Sequence, residues 1–565
     1  TKVSSPLPPG LSFLWVPFGL VLETTLFPRD QRYFGWHVIA LTVIAPFITR
    51  RFLRNSRRAV AVLTFVVYPV ACYAYMNATS LATAEGKPRV NFFEDAHHLV
   101  PASEMLRGER LYRDIVPTHG FIEDAAITWI ALKARGATIG SALRGRAAVG
   151  TLISVGAYAV TVAATGVTEA GFLAFLLATT LGVLPASVRV VPALFALAAI
   201  AASVRMRNVR AMYAGGFLTV LALMTSLDFG TYTLLTLIVS LLRYGRNRWS
   251  AIRNAAIGSA AAGLPFAAVL AAFGVLDDFF RVTLFELPAA ATTGTLNVFT
   301  PPQGFVQYPH VPEVLAAIFT KPAVTYVSWI MAVILTGTLI ARRVDRGTLP
   351  LLVVSFWMTV AGLSYAQRHH VFFEFATATL FVMIAWLVIR RVPALTPAIV
   401  VALLMMAQPT THLAIAAWIR RTRGPIEQGW TEIRELPRAR GALFTVHDAA
   451  VVRAASRYVE ERLPGDNTFF DFTDRGSLYF LLRRDCPVRQ IAVPFYETEE
   501  LQRQVIARID ANPNVRAALV PASGEGGSVD NIPNQIRAPL VWKYVAEHFT
   551  PDHAEDDVAF WRRRQ

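Results

Sequence analysis

The chain has 565 residues, 54% of them hydrophobic and 16% charged, with a mean hydropathy of +0.43. Soluble chains carry roughly a quarter charged residues, so this composition excludes a water-soluble globular fold. The net charge of +15 does not indicate nucleic acid, because many of the basic residues cluster between apolar runs, where orientation signals sit.

Apolar runs near 11–27, 36–49, 59–76, 121–134, 147–165, 171–204, 211–226, 228–242, 252–273, 323–341, 349–365, 371–389 and 393–412 predict about 13 transmembrane helices, within a range of about 12 to 14. The first run has no basic residue before it except Lys2 and reads as a span rather than a signal peptide. Arginines cluster at 50–58, 135–146, 205–210, 243–253, 342–346 and 390–391. With these facing the cytoplasm, loops 77–120 and 274–322 face outward. The 171–204 run is long enough for two spans, which would reverse that parity. Pro185 and Pro192 interrupt it, and it is expected to make one net crossing with a broken piece. The spans are expected to carry few charges, Glu23 and Glu374 among them. Arg420, Arg421 and Arg423 follow the last span on the outward side; they favour a cytoplasmic tail, unless 410–423 lies as a surface helix with the tail outward.

The chain divides into a membrane domain, 1–420, and a polar tail, 425–565. The tail alternates helical periods (449–462, 477–482, 497–511, 538–549) with short apolar strands (467–472, 515–520, 557–563), the pattern of a small α/β domain. Cys72 and Cys486 are the only cysteines, so a disulfide framework or cysteine-rich metal centre is excluded. Gly524, Gly526 and Gly527 lack the Lys-Ser/Thr of a phosphate loop.

The first outer loop carries the densest chemistry. Glu94 and Asp95 precede His97 and His98, then Pro101, Gly108 and Tyr112-Arg113-Asp114. Acidic residues in a first helical turn complement the helix dipole, and Asp is a good N-cap. The same carboxylates could act as a general base at a membrane surface. Glu94 and His98, four apart, are the better ligand pair for a divalent metal ion, since adjacent histidines diverge.

This loop resembles the first outer loop of GT-C class membrane glycosyltransferases, the bacterial relatives of protein O-mannosyltransferases and aminoarabinose transferases. The matching elements are Glu94-Asp95, His97-His98, Pro101-Ala102, Leu106-Arg107-Gly108 and Tyr112-Arg113-Asp114. The run "RHHVFFEFATATLFVMIAW" (368–386) is similar to the basic pair opening a late span of that class, and the tail is similar to its terminal domain. The resemblance implies a sugar on polyprenyl phosphate, a glycan, lipid or protein acceptor, and an inverting transfer at the outer face of the bacterial cytoplasmic membrane. Glu94 or Asp95 would be the base; position in the motif favours the first, chemical type the second. Arg368, His369 and His370 would meet the lipid phosphate. His97, His98, Tyr112, Arg113, Asp114 and Asp228 would bind substrate, and some relatives use a divalent ion.

Other readings compete. Asp228 can simply cap the turn at Gly230, and Asp277, Asp278, Arg281 and Glu286 read as a solvated loop face. Trp329, Trp357 and Trp386 read as interfacial anchors or core, and His447, His548 and His553 as surface residues. A transporter or flippase would also have many spans, but with ionisable groups at mid-membrane and internal repeats. A non-catalytic membrane subunit is the third reading.

Overall fold

The computed structural model describes residues 61–76 apart from 71, 74 and 75, then 87–181, 187–289, 321–341, 348–365, 374–392, and 428–564 apart from 523–527, 530–531 and 556. The expected spans at 11–27, 36–49 and 393–412 lie outside the described residues, as do Arg368, His369 and His370.

After the segment at 61–76, the first helix is α1 (Phe92–Arg107). Asn91 caps it by accepting from the amides of Phe93 and Glu94, and Gly108, at φ 102°, ends it. A single π turn (Ile122–Ala126) leads into α2 (Ile127–Arg135). Helices α3 (Ile139–Gly150) and α4 (Leu152–Thr165) continue through Thr151 as one rod of 27 residues. Then follow α5 (Thr168–Leu181), α6 (Val191–Met206), α7 (Ala211–Thr225), α8 (Leu227–Leu242), α9 (Arg248–Ala272), α10 (Leu276–Arg281), α11 (Lys321–Ala341), α12 (Leu349–Tyr365) and α13 (Glu374–Arg391).

Contacts sort the helix ends into two layers. At one end, the Leu227 amide donates to His119 O, Arg189 pairs with Asp228, and Arg113 reaches Asp278 and Gly274 O. At the other, Arg205 donates to Ala163 O, Asn254 to Val209 O and Arg243 to Ile340 O. The helices from the α3–α4 rod through α9 alternate between these layers. Side chains that would be core in a soluble bundle point outward: Trp249, Ile257, Leu264 and Val269 on α9, and Leu234, Leu235, Ile238 and Leu242 on α8. The α3–α4 rod and α9 are each long and apolar enough to cross a bilayer; several others are apolar and shorter.

The tail supplies β1 (Trp430–Thr431) and β2 (Phe444–Thr445), paired antiparallel, and a four-stranded sheet ordered β3-β4-β8-β7. Its strands are β3 (Thr468–Asp471), β4 (Val515–Pro521), β7 (Phe549–Glu555) and β8 (Val558–Arg563), with a short β5–β6 pair (Ser528–Val529, Ile532–Pro533) outside it. β3 and β4 are parallel; the other pairs are antiparallel. Helices α14 (Val446–Arg462), α15 (Ser477–Leu481), α16 (Glu499–Ala511) and α17 (Pro539–His548) stand close to the periods expected from sequence. Strand β7 was not expected: it is an exposed edge carrying Pro551 beside a register shift, where the ladder needs no amide from proline.

Two expectations are corrected. The run 121–134 is not a crossing. Just before it the Val116 amide donates to Arg489 O, and just after it the Gly140 amide donates to Arg440 O. Both ends therefore rest on the tail domain, and the segment lies against that domain instead of leaving it. Conversely, 171–204 is not one broken crossing but two separate helices, α5 and α6. The two corrections cancel in parity. One continuous apolar core joins the loop to the tail, including Ala96, Leu99 and Ile139 on one side and Phe444, Leu478 and Phe560 on the other. Loop and tail approach closely there: a Cβ on Gly140 would collide with the Gly441 backbone, and one on Gly476 would lie 3.1 Å from Ala96 Cβ.

Candidate active site

The N-terminal half of α1 is buried on one face beneath the tail, because Phe92, Ala96, Leu99 and Val100 join the shared core. That burial carries Asp95, His97 and His98 inside while Glu94 stays exposed. Oδ2 of Asp95 accepts from the Asn91 amide at 2.8 Å, so the side chain also closes its own helix start. Burial pushes the Asp95 carboxyl up to about 7, with Glu94 adding to the rise and the Asn91 amide and Arg146 opposing it.

The loop after α1 brings a second carboxylate pair, Glu123-Asp124, into the same space. Asp124 is fully buried. Its Oδ2 accepts from the His119 amide at 2.7 Å and from Thr118 Oγ1 at 3.2 Å, and its Oδ1 from His119 Nδ1 at 3.0 Å. Burial alone would raise the Asp124 pKa, but the His119 ring and its hydrogen bond hold it well below the usual carboxylate range. Thr118 gives its hydroxyl proton to Asp124, so the 3.2 Å contact to His97 Nδ1 requires His97 to donate from that nitrogen. Nε2 of His97 is then a buried acceptor without a partner. Burial and the neighbouring His119 push His97 down to about 3, and burial with Arg146 pushes His98 well below its ordinary value, so both rings are neutral. Glu123 is buried and pairs through Oε1 with Arg146 Nη2 at 2.7 Å, while Arg146 also donates to the Glu123 carbonyl.

Of the other expected residues that are described, Tyr112 and Asp228 flank this cluster, and Arg113 and Asp114 pair elsewhere. Tyr112 is buried in a left-handed conformation (φ 69°), and burial raises its phenol pKa. Its carbonyl accepts from Arg489 at 2.8 Å, tying the turn to the tail. Arg113 spans to α10 through Asp278 at 2.8 Å, and Asp114 Oδ2 accepts from the Arg110 amide at 3.0 Å. Asp228 pairs with Arg189 at 2.7 Å, next to the Leu227 amide that reaches His119. The carboxylates grouped with buried His98 are Glu123 and Asp124, while Glu94, four residues before it, is exposed. Sequence reasoning missed Thr118, His119, Glu123, Asp124 and Arg146. The signal was present: two adjacent acids opening a supposed span, where an ionisable group is a functional candidate by default.

Fold and site together define a helical bundle with outward-facing apolar side chains, closed at one end by an α/β domain over a buried carboxylate–imidazole cluster. No protein-family profile matches the sequence, and comparison with curated proteins gives no match. Among solved structures, the chain is similar to ArnT from Cupriavidus metallidurans bound to undecaprenyl phosphate, with 13% identity and a TM-score of 0.43 over 90% of this chain and 98% of that one. The apo form of the same protein gives 15% and 0.44, over 89% and 98%. ArnT is a GT-C aminoarabinose transferase, the class that the first-loop motif resembles.

Proposed function

We propose that the chain is a polytopic membrane glycosyltransferase of the GT-C class. It moves a sugar from a polyprenyl-phosphate donor to an acceptor hydroxyl, with inversion, at the outer face of the bacterial cytoplasmic membrane. The observation that carries this reading is Asp95: a buried carboxyl held near neutrality, with one oxygen engaged by the Asn91 amide and the other without a protein hydrogen bond among the described residues. A base of that pKa can take a proton at physiological pH, and a positioned base contributes roughly 10²- to 10⁴-fold. In the proposed step Asp95 removes the acceptor's proton as its oxygen attacks C1 of the sugar. The C1–phosphate bond breaks on the opposite face, and the polyprenyl phosphate leaves with both bonding electrons. Arg368, His369 and His370 are proposed to receive that phosphate, which guanidinium binds in a bidentate, charge-assisted way.

Charge placement supports the side of the membrane. The layer far from the tail carries Arg205, Arg207, Arg210, Arg243, Arg246, Arg248 and Arg253, with no acidic residue between 203 and 211 or 242 and 254. Positive residues favour the cytoplasm, so the tail and Asp95 would face outward.

The test uses the purified full chain in nanodiscs with a panel of undecaprenyl-phosphate pentoses and hexoses, reading release of undecaprenyl phosphate. At least one donor should be turned over, and Asp95→Asn should lose 10²-fold or more. Release unaffected by Asp95→Asn, Glu94→Gln and the double variant would sink the base assignment. Movement of intact donor across the bilayer without release would favour a flippase.

A further inference from the structure

We infer that the interior of the tail holds one Ca²⁺ ion between Asp471, Asp474, Asn534 and Tyr496, apart from the loop cluster on α1. β3 and β4 are adjacent and parallel, and the helices that follow them lie on opposite faces of the sheet. α15 packs on the face of Phe469 and Leu519, and α17 on the face of Phe470 and Ala518. In α/β sheets the crevice outside the carboxyl ends of two such strands is the usual place for a ligand. Asp471 ends β3, Asp474 follows it in the next turn, and Asn534 lies between β4 and α17.

The side chains in that crevice are tied at one end and bare at the other. Asp471 Oδ1 accepts from the Thr473 amide at 2.8 Å and the Thr473 hydroxyl at 2.6 Å, while its Oδ2 has no partner. Asp474 Oδ1 accepts from the Val493 amide at 2.8 Å, and its Oδ2 has none. Asn534 Nδ2 donates to Phe472 O at 3.0 Å, which leaves Oδ1 bare, and the Tyr496 hydroxyl is bare as well. The four groups lie together. Asn534 and the charge of Asp471 both act on the Asp474 carboxyl, and Asp474 and Asp471 both act on the Tyr496 phenol. Buried polar atoms in native folds almost always find partners, so four orphans in one place point to a ligand.

The chemistry of the set selects that ligand. All four bare atoms are oxygens, two of them from carboxylates, and the nearby arginines are engaged elsewhere: Arg475 with Asp557 at 2.8 Å and Arg537 with Glu497 at 2.6 Å. Such a crevice attracts a cation and repels a phosphate. Two carboxylates balance a divalent charge, and an oxygen-only set of irregular shape, completed by water, suits Ca²⁺. The set contains no imidazole or thiolate, which disfavours Zn²⁺. None of the four residues is more than 6% exposed, so an ion fits where a sugar ring does not. A lone water has two protons to give and leaves the carboxylates facing each other. The ion would also brace the turn Val493–Phe495, whose Phe495 ring packs edge-on against His97 at 5.1 Å.

This inference does not depend on sugar transfer, because its test needs no substrate. The full chain in detergent is stripped with chelator, dialysed and titrated with Tb³⁺, which occupies Ca²⁺ sites and emits when a tyrosine beside it is excited. Sensitised emission that Ca²⁺ displaces is expected, with a Kd for Ca²⁺ on the order of 10⁻⁴–10⁻³ M, as in extracellular modules. Asp471→Asn and Asp474→Asn should each weaken Ca²⁺ binding at least tenfold, while Glu461→Gln, on the exposed side of α14, leaves it intact. Should either aspartate variant fail to fold, Tyr496→Phe decides: loss of at least half the emission supports the proposal, and unchanged emission overturns it. No Ca²⁺-displaceable emission from the wild type, or equal Ca²⁺ affinity in the wild type and both folded aspartate variants, also overturns it.

Discussion

Replacing Asp95 by Asn separates a functional carboxylate from a structural one. Asn keeps the shape and keeps an oxygen to accept the Asn91 amide, so the helix start survives. If Asp95 were only a cap, the change would be near neutral or slightly destabilising, since Asn and Asp cap about equally well. The structure gives a different balance. Burial lifts the carboxyl from 3.8 to about 7, so at pH 8 the folded protein holds a carboxylate its surroundings disfavour. Each pH unit between folded and unfolded pKa is worth about 1.4 kcal/mol, which sets an upper limit on the order of 4 kcal/mol on the cost. The sign follows from proton counting. Between about pH 4 and 7 the native state binds more protons than the unfolded state at this site, so stability falls as pH rises through that window. Asp95→Asn should therefore stabilise the chain at pH 8 by about 1–4 kcal/mol, change little at pH 4, and abolish transfer. The assay is reversible unfolding in mixed micelles at both pH values, beside donor turnover. A variant less stable than wild type at pH 8, or equally changed at both, would refute the reasoning.

Turnover itself should rise with pH through about 7 as Asp95 ionises, and a rate flat from pH 5.5 to 8.5 would remove Asp95 as the base. Arg146→Met leaves Glu123 buried and unpaired and should cost about 3–5 kcal/mol; adding Glu123→Gln should recover most of it, read by the same unfolding assay as a double-mutant cycle. Gly140→Val places side-chain atoms on Gly441 and should loosen the tail from the α3–α4 rod, seen as faster proteolysis within 425–445. Burial pushes Glu104 up to about 7, opposed by Arg107, so Glu104→Gln should flatten the loss of tail protection between pH 5 and 8, measured by hydrogen exchange in α15.

The fold was legible where one physical signal acts alone. Long charge-free runs gave the bundle helices, and period-two and period-3.6 patterns gave the tail elements near 449–462, 497–511 and 515–520, because burial there is set by each element's own sequence. Failures cluster where a partner distant in sequence decides. The run FIEDAAITWIALK looks like a membrane span by hydropathy, yet its apolar face packs beneath a domain that begins some 300 residues later, and its two acids find His98, His119 and Arg146. Strand β7 is polar and carries proline, and it exists because β8 returns beside it. Glu94-Asp95 was legible as a motif, but the split between one exposed and one buried carboxylate required the tail to cover α1.

That covering also explains why the acidic residues sit where they do. A carboxylate at an open membrane surface keeps the pKa of a carboxylate in water and is a weak base. A carboxylate at mid-membrane pays for its desolvation and stays neutral. Placing α1 and the turn before α2 between the bundle and a folded soluble domain gives an intermediate environment. It is dry enough to lift Asp95 toward neutrality, and polar enough, through Thr118, His119 and Arg146, to keep Asp124 and Glu123 in defined orientations. The parity of the chain then has a purpose. Removing 121–134 as a crossing keeps both acidic pairs on the side of the tail, and splitting 171–204 into two helices restores the count, so that the arginines at 205–210 stay on the opposite face. Had 121–134 crossed, α3 with Arg146 would begin on the far side, away from Glu123. The ion pair between Arg146 and Glu123 is therefore a topological marker as well as a structural contact, and cysteines placed at 123 and 146 should crosslink with a short reagent in intact membranes.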